Sequence, residues 1–178
     1  MDTFVVLLRA IGPITHRIMS MTQWRDAVAA AGYDAPQTYV ATGNMIVGSG
    51  KGIAEVTSDM NAVVRGLGLG PGNVAVVRKA ATLRRLVRTN PFPDAAAERP
   101  SELAVYFFAG ARPDFSWLDA YDGPEPWHIA GAHLFVDYDG RISQSPRLAG
   151  LVEKRSGTGT ARNWNTVKAL AERAAARG

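Results

Sequence analysis

From Phe4 to Leu8 apolar residues fill both alternations of an extended chain, Val5 and Leu7 on one side and Phe4, Val6 and Leu8 on the other. The run is too short and too rich in β-formers to read as a helix. Residues 74–77 and 105–108 repeat it. A sheet with helices on one side only should alternate apolar and polar positions. These runs therefore predict sheets covered on both faces, by another part of the chain or by a second copy. Elsewhere the period is helical. Met21, Trp24, Val28 and Ala31 recur at helical spacing behind Ser20 or Thr22 as cap, and Gly32 closes that helix. A second amphipathic helix runs from Ile53 to about Leu67 and ends in the glycine-rich stretch Gly66–Gly72. Strands at 37–41 and 45–47 join at the turn-forming Thr42-Gly43-Asn44. With a strand at 74–78 the order is βαββαβ, the ferredoxin-like unit.

A similar order then begins again. A helix over 81–88 is stopped by Pro91 and Pro93, a strand covers 103–109, and a short helix covers 113–121. Strands at 127–129 and 132–138 form a hairpin around Ala130-Gly131. Helices follow at 145–155 and 163–177, the last where a strand would otherwise fall. The expected architecture is α+β: two ferredoxin-like (βαββα) halves, 1–78 and 79–178, packed into one compact unit, the second half carrying an extra C-terminal helix.

The 178 residues, 47% hydrophobic and 20% charged, have the make-up of a globular protein. Without cysteine there are no disulfides, thiolate metal sites or cysteine nucleophiles. No apolar run reaches the roughly 18 residues of a membrane span. An acid at Asp2, where a signal peptide would be basic, points to the cytoplasm and away from a membrane. The net charge of +4 is unevenly spread. Residues 1–89 hold ten Lys/Arg against five acids, residues 90–140 two against nine, and residues 141–178 eight against two. Such asymmetry marks a nucleic-acid face, or an acidic middle segment lying against basic ends within one fold or between two copies.

Both nucleotide signatures fail. In "IVGSGKG" Met45 stands where a P-loop needs its first glycine, and Gly52 replaces the magnesium-binding Ser/Thr. Gly66, Gly68, Gly70 and Gly72 never complete G-x-G-x-x-G, because Pro71 and Asn73 intervene. His128 and His133 face each other if Ala130-Gly131 is a two-residue turn, but no third ligand is evident, so no metal is expected. No carboxylate pair or Ser/His/Asp set has a spacing that specifies catalysis. Basic clusters are more suggestive: Arg78, Lys79, Arg84, Arg85 and Arg88 on a strand end and the next helix, and Arg147, Lys154, Arg155, Arg162 and Lys168 near the C-terminus. Solvated surface is one reading of both, and an anion or nucleic-acid contact the other. In "SGTGTARNWNTVKAL", Asn163 reads as an N-cap and Trp164, Val167 and Leu170 as a buried stripe. The same helix start beside Arg162 is chemically suited to a phosphate or carboxylate.

"TARNWNTVKAL" resembles the C-terminal signature of a bacterial family, domain of unknown function 1697. "FVVLLRAI", "TYVATGNMIV" and "VRTNPF" resemble that family's opening strand, hairpin and Ala-Asn-Pro-Phe segment, so the likeness runs from Phe4 to about Leu170. It implies an α+β fold of two ferredoxin-like halves and brings no activity. Its motifs fall on Arg9, Tyr39, Gly43, Asn44, Asn90, Pro91, Phe92, Thr160, Arg162, Asn163, Trp164 and Thr166. After Arg9 this chain departs from the family's Arg-Gly-Ile-Asn, reading Ala10-Ile11-Gly12-Pro13, which puts in doubt any site built on that loop. The family's Ser-Lys-Leu is met only approximately, by 145–148.

These readings converge on a protein that binds an anionic ligand, nucleic acid or a phosphorylated metabolite, without metal or cofactor. The contacts expected are Arg9, Asn44, Arg147, Lys154, Arg162, Asn163 and Thr166. Two alternatives stay open: an enzyme of unassigned reaction with His16 as acid–base, and an assembly protein that dimerises through its covered sheet.

Overall fold

The computed structural model describes residues 1–140 and 146–177. Its elements run β1 (Asp2–Leu8), α1 (Pro13–His16), α2 (Met21–Ala30), β2 (Asp34–Tyr39), β3 (Asn44–Ser49), α3 (Ile53–Gly66), β4 (Ala75–Lys79) and α4 (Ala80–Arg88). There follow α5 (Pro93–Glu98), β5 (Leu103–Phe108), a 3-10 turn (Ser116–Ala120), β6 (Trp127–Ala130), β7 (His133–Asp137), α6 (Pro146–Ser156), β8 (Gly159–Asn163) and α7 (Trp164–Ala175). The fold is α+β, with seven α-helices among the described residues and two four-stranded antiparallel sheets, ordered β2-β3-β1-β4 and β6-β7-β5-β8. Two compact units result, Met1–Arg85 with Leu170–Gly178, and Leu86–Ala169. Among the described residues no helix is long and apolar enough to cross a membrane.

In the first unit Ser20 and Gln23 form a capping box that starts α2, and Trp24 and Val28 point its apolar stripe inward. Val56, Met60 and Val64 do the same for α3. Both stripes pack on Phe4, Val6, Leu8, Met45, Val47, Ala75 and Val77 of the sheet. Val5, Leu7, Ile46 and Val76, on the opposite face, are also buried, as expected of a sheet covered on both faces. Strand β2 starts earlier than the pattern predicts, with a register shift between Asp34 and Gln37. Asn44 belongs to β3, and the loop before it runs over 40–43. Gly43 sits at φ +84° with a virtual Cβ 2.8 Å from Leu8 Cβ, so only glycine fits there.

In the second unit Ala104, Phe108, Leu134 and Val136 pack on Leu148 and Val152 of α6. Three elements escape the sequence pattern. The Gly/Thr-rich stretch expected as a turn before the last helix is β8, which pairs with β5 from Phe108↔Gly159 to Ala104↔Asn163. Its residues alternate too little in polarity to announce a strand. Gly159 lies against β5, where a Cβ would fall 2.5 Å from Phe107 O. Pro93, read as a stop, instead opens α5, a position where its missing N–H costs nothing. Pro13 does the same for α1. The hairpin register also differs from expectation: Ala130 pairs with His133 and His128 with Phe135, which places the turn at Gly131-Ala132. His128 and His133 are therefore not opposed; His133 is buried edge-on to Phe107 and His128 is exposed. The first residue of the helix expected over 145–155 lies outside the described residues.

Candidate functional site

Arg9 and Asn44 belong to the first unit; Arg147, Lys154, Arg162, Asn163 and Thr166 belong to the second. Arg9 follows β1 and donates from Nη1 to Gly72 O at 2.9 Å, while Asn73 Nδ2 reaches Arg9 O at 3.2 Å. Asn44 is fully buried; its Nδ2 donates to Tyr39 O at 3.0 Å and Thr42 Oγ1 at 2.9 Å, stitching the β2–β3 loop. Next to it His16 Nε2 donates to Ala41 O at 2.7 Å. Arg162 is buried on β8, donating to Thr160 Oγ1 at 2.6 Å and Ala161 O at 2.9 Å, and burial pulls its guanidinium pKa down to about 10. Asn163 caps α7 by accepting from the Thr166 N–H at 3.0 Å, as the sequence predicts. Arg147 is exposed, pairs with Asp122 at 3.2 Å and lies over the Tyr121 ring; Lys154 is exposed near the end of α6. Asn90, another motif residue, accepts from Phe92 N through Oδ1 at 3.0 Å and closes an Asx turn. Much of the recognisable motif thus does framework work.

Cationic excess lies elsewhere. The first unit holds eleven Lys/Arg against six Asp/Glu, and the second nine against ten. The acidic middle segment meets basic partners inside the second unit: Arg99 grips Asp137 at 3.1 and 2.5 Å and reaches Asp139 at 3.2 Å, and Arg147 meets Asp122. Five of the six acids in the first unit are paired, Asp2 with Lys79, Asp26 with Arg25, Asp34 with Arg177, and Glu55 and Asp59 with Lys51. An open cavity of about 190 Å³ lies at the β4–α4 junction of this unit, bounded by Met1–Thr3, Lys79–Ala81, Arg84 and Ala174–Ala175. The first turn of α4 lines it, bringing backbone N–H groups that have no intrahelical acceptor. Lys79 Nζ donates to Asp2 at 2.7 Å and keeps two further donors; its hydrogen bond holds the Asp2 carboxyl below the usual range. Lys79 and Arg84 belong to a basic cluster visible in the sequence, but the cavity depends on strand pairing and on α7 returning beside β1.

The second unit has an aromatic cluster. The hydroxyls of Tyr106 and Tyr138 are hydrogen-bonded, and Tyr121 donates to buried Glu125 at 2.6 Å. Burial raises the pKa of Tyr106 and Tyr138, and burial with the Glu125 hydrogen bond pushes Tyr121 up to about 12. All three are therefore neutral phenols near pH 7, able to donate hydrogen bonds but not to act as bases. A cavity of about 220 Å³ opens beside Tyr106, between α6 and β8. It was missed in the sequence because β8 was read as a turn. Among the described residues no group of three or more His, Asp or Glu is placed to hold a metal.

The sequence model of the family described as "Protein of unknown function (DUF1697)" matches residues 1–135, and the chain belongs to that family. No curated protein matches it. Among solved structures it is similar to the conserved bacterial protein SP0830 from Streptococcus pneumoniae, with a TM-score of 0.72 and 12% identity over 97% of this chain and 98% of that one. That likeness establishes a shared fold.

Proposed function

We propose that this member of the DUF1697 family binds a phosphate-bearing ligand through the basic surface of its first unit, with Lys79, Arg84 and the first turn of α4 as the phosphate contact. The carrying observation is the coincidence of the unit's net charge of +5, eleven Lys/Arg against six acids, with a cavity whose wall holds two cations and a helix start. The chemistry is shared by a phosphorylated metabolite and by a nucleic-acid backbone, and neither needs a metal or cofactor. Arg9, in the same unit, extends the basic surface. Asn44, Arg162, Asn163 and Thr166 are read as framework, and Arg147 and Lys154 as surface charge of the second unit. Strands β1 and β3 present no exposed aromatic, so backbone contact rather than base stacking is the mode. On the β-α-β-β-α-β succession and the matching strand orders, we read each half as ferredoxin-like.

Anisotropy of labelled RNA and DNA at low and physiological salt, beside calorimetry with pyrophosphate, tests the reading. Steeply salt-dependent binding that loses about one unit of salt slope each in Lys79→Ala and Arg84→Ala, and is unchanged in Lys154→Ala, supports a nucleic-acid ligand. Pyrophosphate binding alone supports a metabolite. Binding of neither at low salt overturns it.

A further inference from the structure

We infer that one end of the first sheet is a docking surface for an anionic lipid bilayer. Ile14, Ile18 and Val40 enter the bilayer, and Arg17 and Arg65 meet its headgroups. Antiparallel pairing brings three connections to that end. Residues 9–20 follow β1, the 40–43 loop lies beside the pair Leu7↔Asn44, and the 66–74 loop lies beside Leu8↔Ala75. The connections are tied to one another. His16 Nε2 donates to Ala41 O at 2.7 Å, Leu8 N to Gly43 O at 2.8 Å and Arg9 Nη1 to Gly72 O at 2.9 Å. Ile18 lies against Gly68, whose virtual Cβ falls 3.2 Å from Ile18 Cγ2. Helix α1 is fixed at its start as well, where Thr15 Oγ1 accepts from the Gly12 N–H at 2.8 Å.

At this end the apolar residues divide. Ile11 packs on the core and Met19 is buried, but Ile14 is 77%, Val40 50% and Ile18 47% exposed. After Met1 these are the most exposed large apolar side chains among the described residues. Single exposed aliphatics are ordinary, but three on connections bonded to one another mark an interaction surface. Charge selects what meets it. Residues 9–20, 40–43 and 65–74 contain Arg9, Arg17 and Arg65 and no Asp or Glu. Arg17 and Arg65 are exposed, and the paired acids of the unit engage Lys79, Arg25, Arg177 and Lys51 instead. Projecting aliphatics beside guanidinium groups match a bilayer, which requires no shaped groove. The side chains enter the acyl boundary and the cations meet anionic headgroups. Such a contact lies on the membrane without a spanning helix, and it departs from the sequence-based expectation of no membrane partner. Lys79, paired with Phe4, marks the opposite end of the sheet, so the surface is separate from the proposed phosphate contact.

The test is sedimentation of the full chain with vesicles of phosphatidylcholine, alone or with about a third phosphatidylglycerol, at low and physiological salt. Binding is expected only to the anionic vesicles, and it should weaken as salt rises. Ile14 is exposed, so Ile14→Ser leaves the thermal midpoint in place and should weaken vesicle binding about tenfold. Arg17→Glu, also at an exposed position, should do the same. The chain has no cysteine, so Ile14→Cys accepts a polarity-sensitive fluorophore at that position alone. Its emission should shift to the blue on anionic vesicles. No binding to anionic vesicles at low salt, or binding unchanged within about twofold in Ile14→Ser, would overturn the assignment. So would a loss confined to Lys79→Ala, which would place the lipid phosphate at the other end of the sheet. Ile14-dependent binding to soluble polyglutamate would overturn it too, by marking an acidic polypeptide as the partner.

Discussion

In the first unit the ion pair between Lys51 and Asp59 leaves the two side chains 39% and 33% exposed. In the second, Asp137 is 5% exposed beneath Arg99 and also accepts the Asp139 N–H. The chemistry is the same and the work is different. A pair in water contributes about 0–1 kcal/mol and leaves the net charge of its surroundings to act at long range. A carboxylate taken out of water must keep its partner, and removing one member of such a pair costs about 3–5 kcal/mol. The first unit combines surface pairs with a surplus of five cations, and the second nearly cancels its charge internally. The proposed anion contact accordingly falls in the first unit, whose net charge is +5, while the second, at −1, is nearly neutral.

The contrast can be broken most directly at Asp137. Asp137→Ala should lower unfolding free energy in urea by about 3 kcal/mol, the low end of the range because Arg99 retains some solvent. A loss under 1 kcal/mol, roughly the value for a surface pair, would make the two units alike. Next in size is Gly159→Ala, which forces a Cβ onto Phe107 O and should cost about 2 kcal/mol by overpacking, read as a fall in thermal midpoint. Asn163→Ala removes the cap of α7 and should cost about 1 kcal/mol in the same melt.

The Lys51 hydrogen bond, and after it that of Tyr33, holds the Asp59 carboxyl below its usual range. A carboxyl whose pKa is depressed on folding lends stability that is complete above its unfolded value of about 4 and disappears as pH falls through the folded value. Denaturation followed from pH 6 to pH 2 should therefore show stability declining below about pH 4, with Asp59→Asn removing about 1 kcal/mol at neutral pH and flattening that part of the decline. The smallest effect is a gain. Ala10 sits at φ +60°, in the left-handed region that favours glycine. Ala10→Gly should raise stability by about 0.5 kcal/mol, since relief of the left-handed strain slightly exceeds the extra entropy of glycine in the unfolded chain.

Family membership and α+β class were legible because they rest on local pattern. Ser20 before Met21–Trp24, Val56-Met60-Val64 at helical spacing and Asn163 before Trp164 each state an element within a few residues. The proposed phosphate contact was half legible: Lys79 and Arg84 stood out as basic, but the set favoured at the C-terminus was Arg162, Asn163 and Thr166, residues that the structure engages in β8 and the start of α7. A motif shared with a family reports whatever the backbone requires as readily as it reports a ligand, and Asn44 and Asn90 close loops. The groove beside Tyr106 was invisible, since nothing in Gly159 and Ala161 announces a void until they are paired with Phe108 and Tyr106.

By itself the sequence determined the helices that carry their own caps and stripes, the strands apolar on both alternations, and the absence of thiolate chemistry. All of these depend on neighbours within one or two turns of chain. Only the tertiary structure decided that Gly159–Asn163 is a strand, because its hydrogen bonds come from β5 some fifty residues away. It also decided which charges cancel, because Arg147 meets Asp122 and Arg99 meets Asp137 across chain segments that sequence distance separates. Helix capping is a short-range interaction of the backbone with the next turn. Strand pairing, charge cancellation and the voids left between elements are set by partners that only folding brings together.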